Sequence, residues 1–318
     1  MTTKNQVQFI IINNEESGQR IDNFLLARLK GIPRSRIYRI IRKGEIRINS
    51  CRTKPEYKIK IKDIIRIPPI IFFKKPHNIV HTTYDKVSKI NNCILYEDEY
   101  ILVLNKPSSI ATHGGSGINF GIIEALRTLR PKEHFLHLVH RLDRETSGVL
   151  LTAKKYSSLK LLHQQLRLRN IQKTYIALVK GQWPEKIKVI KAPLLKKNLK
   201  NNNKKIVTVS DNGKYSETHF KIKECFSNAT LVQINPITGR THQIRVHAKY
   251  AQHPIAFDNR YGDLNFNKQL IFTGLNRLFL HASSLMFFHP VSGEKLTFNA
   301  PLDKQLNTCL KLLRKYNI

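Results

Sequence analysis

The chain has little acid. Across 318 residues, 22 Asp and Glu stand against 55 Lys and Arg, a formal net charge of +33. So large an excess of one sign implies a polyanionic partner, with nucleic acid the leading candidate. Part of it sits in a composition rich in Lys, Asn and Ile, so the placement of the charges matters more than their sum. Cysteine is also scarce. Cys51, Cys93, Cys225 and Cys309 are far apart and form no CxxC pair, which excludes a zinc knuckle and a disulfide framework. No apolar run reaches the roughly 18 residues of a membrane-spanning helix. The stretch Met1 to Ile12 has no charged-then-apolar leader pattern, so a cytoplasmic location is expected. No glycine-rich phosphate loop and no metal-spaced His, Cys and Asp set is visible, so no metal or other cofactor is expected.

Length and pattern suggest two modules: residues 17–80, a linker at 81–92, and residues 93–318. In the first, Ile21, Phe24, Leu25 and Leu29 recur at helical spacing over Gln19 to Lys30. A second helix is predicted from near Ser35, with Ile37, Ile40 and Ile41 on one face and Gly44 as its stop. Short strands are predicted at Ile46 to Ile48 and Ile59 to Ile67, the latter with the turn residues Lys62-Asp63. Periodicity fades from Ile70, where Pro76 and several Lys, His and Asn residues read as linker. The second helix carries Arg34, Arg36, Arg39, Arg42 and Lys43 away from its apolar face. They read either as a solvated face or as phosphate contacts. No acid balances them before Glu45, which favours RNA.

The second module has β-branched runs at Ile101 to Leu104, Gly148 to Ala153, Thr174 to Val179, Ala229 to Ile234 and Leu278 to Leu280. Helical patterns intervene at Gly121 to Arg130 and Ser157 to Arg169. The irregular interleaving predicts an α+β domain with a mixed, mostly antiparallel sheet. Lys196 to Lys205 reads as an exposed polar loop. No heptad pattern is present, and a monomer is expected.

Two segments are too polar for core. In the first, His140-Arg141-Leu142-Asp143-Arg144-Glu145-Thr146-Ser147-Gly148, Asp143 is flanked by arginines just before an apolar strand. On its own it reads equally as a salt-bridged loop or a catalytic one. In the second, Thr238 to His247, Arg245 is available to a distant carboxylate, with a surface helix as the alternative. His137, His140, His242 and His247 read as structural or RNA-contacting groups.

Together these segments resemble the bacterial pseudouridine synthases that modify large-subunit ribosomal RNA. The "HRLDxxTSG" pattern is complete, and Asn105-Lys106-Pro107, Tyr175 after Gln172-Lys173, and Thr238 to His247 match as well. The segments Tyr57 to Pro69, His113 to Gly117, Gly181 to Trp183, Pro254 to Tyr261 and Asn276 to His281 extend the resemblance over essentially the whole chain. Residues 17–80 are similar to an S4 RNA-binding domain. One departure is Ser108-Ser109-Ile110, where the family usually has a glycine.

The resemblance implies an isomerase that breaks the uracil N1 to ribose C1′ bond and rejoins the base through C5, with 23S ribosomal RNA or its large-subunit precursor as partner and no cofactor. It implies Asp143 as catalytic group, a nucleophile at C1′ or a base at C2′. It implies Arg245 as the partner favouring the charged carboxylate, with Tyr175 and Ile244 on the two faces of the target base. Arg141 would fill the RNA stack vacated by the flipped base, and Lys106 is carried over as a substrate-side residue. Two other readings stand beside it. A catalytically silent assembly factor would lack parts of this set. A nuclease would need an acidic metal cluster.

Overall fold

In a computed structural model, described over residues 6–14, 16–29, 32–70, 90–114, 121–133, 135–198 and 205–316, the N-terminal unit is a small sheet covered on one face by two helices. Its elements are β1 (Gln8–Ile11), α1 (Ile21–Arg28), α2 (Arg34–Arg42), β2 (Arg47–Ile48), β3 (Cys51–Arg52) and β4 (Ile64–Ile67). The sheet is antiparallel, in the order β1-β4-β2-β3. Isoleucine dominates its core: Ile21, Ile37, Ile41, Ile46, Ile48, Ile59 and Ile65 pack with Phe24 and Leu25. Gly44 ends α2 at φ 72°, where a side chain would also strike Arg52.

Two sequence expectations change here. The unit begins before Ser17, because β1 pairs along the whole of β4. Of the strands expected over Ile59 to Ile67, only β4 joins the sheet, while the turn expected at Lys62-Asp63 is present, with Lys62 at φ 69° and the buried Asp63 carboxylate tying it together. Asp63 accepts the Lys60 N–H at 2.8 Å and the Asn49 side-chain amide at 2.9 Å. Most of the linker expectation lies outside the described residues. Its last residues do not: Ile90 is buried in the core of the larger domain.

That domain is α+β, with a ten-stranded mixed sheet. In chain order it has β5 (Ile94–Glu97), β6 (Ile101–Lys106), α3 (Ile122–Leu129), β7 (His137–Leu138), β8 (Ser147–Ala153), α4 (Tyr156–Arg167), β9 (Gln172–Lys180), β10 (Val189–Lys191), β11 (Leu194–Asn198) and β12 (Lys205–Val209). Then follow β13 (Glu217–Phe226), β14 (Ala229–Pro236), α5 (Gln243–Tyr250), α6 (Leu264–Gln269), β15 (Leu280–Phe288), β16 (Lys295–Asn299) and α7 (Lys304–Tyr316). The main path runs β10-β13-β14-β9-β15-β8-β6-β5, while β11 and β12 form a separate hairpin. Of the polar loop expected at Lys196 to Lys205, residues 196–198 and 205 belong to that hairpin and residues 199–204 lie outside the described residues.

The pair β8–β15 is parallel, whereas the neighbouring pairs β6–β8 and β9–β15 are antiparallel. Gly148 makes this junction possible. It sits at φ 113°, and a Cβ there would fall 2.2 Å from the Ala282 carbonyl oxygen. The central strands β6 and β8 are buried on both faces, so they read as continuous apolar runs such as Val149-Leu150-Leu151.

Candidate active site

Asp143 lies on the loop from β7 to β8, closed by the Thr146 N–H donating to the Asp143 carbonyl at 3.1 Å. Two braces hold this loop. From β8, the Ser147 hydroxyl bonds His281 Nδ1 at 2.8 Å and accepts from Arg277 at 2.8 Å. From the turn after β6, the Ser108 hydroxyl donates to the Glu145 carbonyl at 2.7 Å, and Arg144 donates to the Ser109 carbonyl at 3.1 Å. Ser109 occupies the left-handed region at φ 68°. This is the departure segment, where the conformation glycine adopts without strain is held by a serine.

Lys106 belongs to that brace, which corrects the substrate-side expectation. Its side chain has no exposed surface. The ammonium donates to the carbonyls of Pro107, Ile110 and Arg144 at 2.8, 2.9 and 3.2 Å. Burial, followed by the Arg277 charge, pulls it down to about 7. All three donors are used inside the protein, so none is left for RNA.

Asp143 opens into a cleft of about 430 Å³ between its own loop, the start of β9, and the loop and first turn of α5. Tyr175 from β9 and Ile244 from α5 are mostly buried and line it, as does exposed Arg141. Burial, reinforced by the Asp143 charge, raises the Tyr175 phenol, so it stays protonated. Lys173, two residues before Tyr175, also faces the cleft, and burial lowers its ammonium.

Arg245 reaches Asp143 at 3.7 Å, and its side chain is 3% exposed against 28% for the carboxylate. The closer partner is one the sequence reading missed. Asp258 takes two bonds from Arg245, both 2.7 Å, and is itself buried. Its carboxylate also accepts the N–H groups of Arg260 and Tyr261 at 2.9 and 3.0 Å. Burial raises the Asp258 carboxyl, but the Arg245 bonds and charge outweigh it, and the group is held below the ordinary range. Glu145 completes the cluster, 3.4 Å from Arg245.

His242 sits at the entrance to α5 in the left-handed conformation, φ 53°. Its Nε2 lies 3.9 Å from Asp143, and its Nδ1 lies 2.9 Å from the Tyr261 hydroxyl. The Tyr261 oxygen already accepts the Val207 N–H, so its own proton is available to Nδ1. Burial lowers the His242 pKa.

Of the other histidines of these segments, His247 is internal and His140 lines the cleft. His247 is buried against Ser216, Thr218 and the Ala192 carbonyl. His140 accepts the Leu151 N–H at 3.1 Å, and burial drops it to about 3. Among the described residues no three His, Cys, Asp or Glu side chains form a cluster that could hold a metal ion. No described helix is long and apolar enough to cross a membrane.

The chain matches the RNA pseudouridylate synthase family over residues 100–250 and the S4 domain over residues 19–65. It is 59% identical over 316 residues to the ribosomal large subunit pseudouridine synthase C of Yersinia pestis, covering 99% of this chain and 98% of the relative. The Escherichia coli K12 protein of the same name is 56% identical over 310 residues, covering 97% of each. The chain belongs to the RNA pseudouridylate synthases. This synthase also resembles a solved structure of human RNA pseudouridylate synthase domain containing 4, with TM-score 0.60 and 26% identity over 73% of this chain and 97% of that one. The synthase is accordingly an isomerase, built as an N-terminal S4 domain followed by the catalytic fold.

Of the site expectations, Asp143, Arg141, Tyr175, Ile244 and Arg245 all line the one cleft. Arg34, Arg36, Arg39, Arg42 and Lys43 lie on or next to α2 in the S4 domain. Arg34 is partly engaged, stacked over the Tyr38 ring at 5.3 Å and bonded to its hydroxyl at 3.0 Å. Tyr38 in turn donates to the buried Asp22 at 2.6 Å.

Proposed function

We propose that this synthase converts specific uridines of 23S ribosomal RNA, or of its large-subunit precursor, to pseudouridine, with Asp143 as the catalytic group. The observation that carries this reading is that Asp143, Tyr175 and Ile244 line one cleft, with Arg245 3.7 Å from the Asp143 carboxylate. A uracil lying between the tyrosine ring and the isoleucine side chain presents its ribose edge to that carboxylate. The base must first leave the RNA stack, at a cost of a few kcal/mol. Stacking on Tyr175 and insertion of Arg141 into the vacated position offset that cost.

Asp143 then attacks C1′ or removes the proton at C2′. In either case the N1–C1′ bond breaks, the base turns, and C5 bonds to C1′, with the Asp143 oxygen leaving C1′ in the first route and Asp143 returning the proton to C2′ in the second. The C5 proton leaves and N1 gains one, so product and substrate are isomers. Nothing is oxidised or transferred to a second molecule, so the reaction needs no cofactor, and one chain in the cytoplasm suffices. The α2 arginines give the S4 domain a phosphate-contacting face that orients the RNA.

The test is chemical labelling of pseudouridine in 23S transcripts incubated with purified protein. Labelled positions are expected with the natural protein and absent with Asp143→Asn, which should bind RNA nearly as well. Normal turnover by Asp143→Asn would remove Asp143 from the reaction. Binding without labelling by the natural protein would mark a silent assembly factor, and magnesium-dependent fragments would mark a nuclease.

A further inference from the structure

The S4 sheet has a second face, away from α1 and α2. Strand alternation turns Ile10, Ile48 and Ile65 into the core and sends their neighbours outward. Register places Phe9 opposite Arg66, Arg66 opposite Arg47, and Arg47 opposite Arg52, in one row across four strands. Ile11 and Ile64 face each other in the next row. Phe9 is 66% exposed and Ile11 68%, an unusual degree for side chains in a regular sheet.

The three arginines are held but not neutralised. Arg47 donates to the carbonyls of Gly44 and Ser50 at 3.3 and 3.4 Å, and Arg66 to that of Glu45 at 3.0 Å. Arg52 lies across Gly44, whose missing side chain leaves room for it. Among the described residues, no carboxylate pairs with any of the three. Carbonyl bonds fix the Arg47 and Arg66 guanidinium directions while leaving full positive charge and unused donors. Adjacent strands set the arginines at steps of about 5 Å.

We propose that this outer face is a second RNA-contacting surface, which takes a single-stranded segment of the substrate. The row meets backbone phosphates, and Phe9 stacks on an unpaired base. An acidic protein surface would satisfy the arginines and leave the flat, exposed Phe9 unused. Double-stranded RNA would satisfy the arginines but keeps its bases stacked internally. A single strand satisfies both. Because α2 packs on the opposite side of the sheet, its arginines point away from this row. The S4 domain therefore holds RNA from two sides. The inference rests on an RNA substrate and deepens that reading.

The test uses the full-length protein and a fluorescent single-stranded RNA oligonucleotide of mixed sequence, titrated at several salt concentrations, with a duplex of equal length as control. Arg47→Gln combined with Arg52→Gln is expected to lower the salt slope by about 1.4, from two lost phosphate contacts at roughly 0.7 each. Phe9→Ser is expected to weaken single-strand binding about tenfold, and Phe9→Tyr to restore it. Pseudouridine formation at saturating concentrations of a short hairpin substrate should be unchanged in all of them.

Unchanged single-strand affinity and slope would overturn the proposal. So would equal losses on the duplex, or losses seen only with protein-bearing ribosomal particles, which would give the face to a protein. If the natural protein forms no pseudouridine while Phe9→Ser still loses single-strand affinity, the catalytic reading fails and this one stands.

Discussion

Arg245 is bonded to Asp258 by two 2.7 Å contacts, a full ångström closer than its approach to Asp143. The arginine at the back of the cleft is thus anchored by one carboxylate and presented to another. Asp258 touches no exposed surface of the cleft and acts through Arg245.

Asp258→Asn should therefore impair both stability and turnover. It leaves a 3% exposed guanidinium without its buried counter-charge, a change that costs about 3–5 kcal/mol when one partner of a buried pair is removed. Thermal unfolding should show the loss. Turnover should fall while RNA affinity holds, because the phosphate-contacting residues are elsewhere. A variant with natural melting temperature and natural kcat would show that Arg245 needs no anchor.

Lys106→Met tests the brace. Three carbonyls lose their donor, at about 1–3 kcal/mol for each acceptor left without a substitute. A lowered melting temperature with RNA affinity near the natural value is expected, whereas a substrate contact would weaken binding. The natural protein also has a pH signature. The unfolded lysine holds its proton up to about 10.4 and the folded one only to about 7, so this residue makes stability rise between those values. That rise should be absent from Lys106→Met.

Acid stability depends on His140. In the folded protein it titrates at about 3, against about 6.5 when unfolded. Between these values the unfolded chain binds more protons, so stability falls as pH drops. Asp258, held low by Arg245, adds a loss in the same direction below the ordinary carboxyl range. Unfolding followed from pH 7 to pH 4.5 should show the decline. His140→Gln, which keeps an acceptor for the Leu151 N–H, should lessen it by about 2–3 kcal/mol. An identical decline in the variant would exclude His140 as the cause.

Removing residues 1–69 should weaken binding to 23S RNA and flatten its salt dependence, as phosphate contacts from Arg36, Arg39, Arg42 and Lys43 are lost. Arg39→Ala with Arg42→Ala should reproduce part of the effect. An unchanged salt slope in the truncated protein would show that the S4 domain makes no phosphate contacts.

The two helices of the S4 domain were legible because their apolar residues recur at helical spacing, and β6, β8 and β9 because β-branched runs mark strands. Strand β1 was not, since four residues at a chain end carry too little periodicity to separate from a leader. The Asp143 loop stood out by its polarity just before an apolar strand. Asp258 did not: a single aspartate in Ala256-Phe257-Asp258-Asn259 has no pattern of its own, and its role arises only when the turn after α5 folds back beneath Arg245. Lys106 was misread for a related reason. Sequence shows a cation, and only burial shows that its donors are already used.

The parallel contact of β15 with β8 carries a consequence for biosynthesis. β15 lies between β8 and β9 at the middle of the sheet, yet it spans Leu280–Phe288, close to the end of the chain. A nascent chain emerging from the ribosome must hold β8 and β9 apart, each with an unsatisfied edge, until most of the polypeptide has been made. The cleft, which Leu280 of β15 lines together with Lys173 and Tyr175 of β9, is therefore complete only once β15 has inserted between its neighbours.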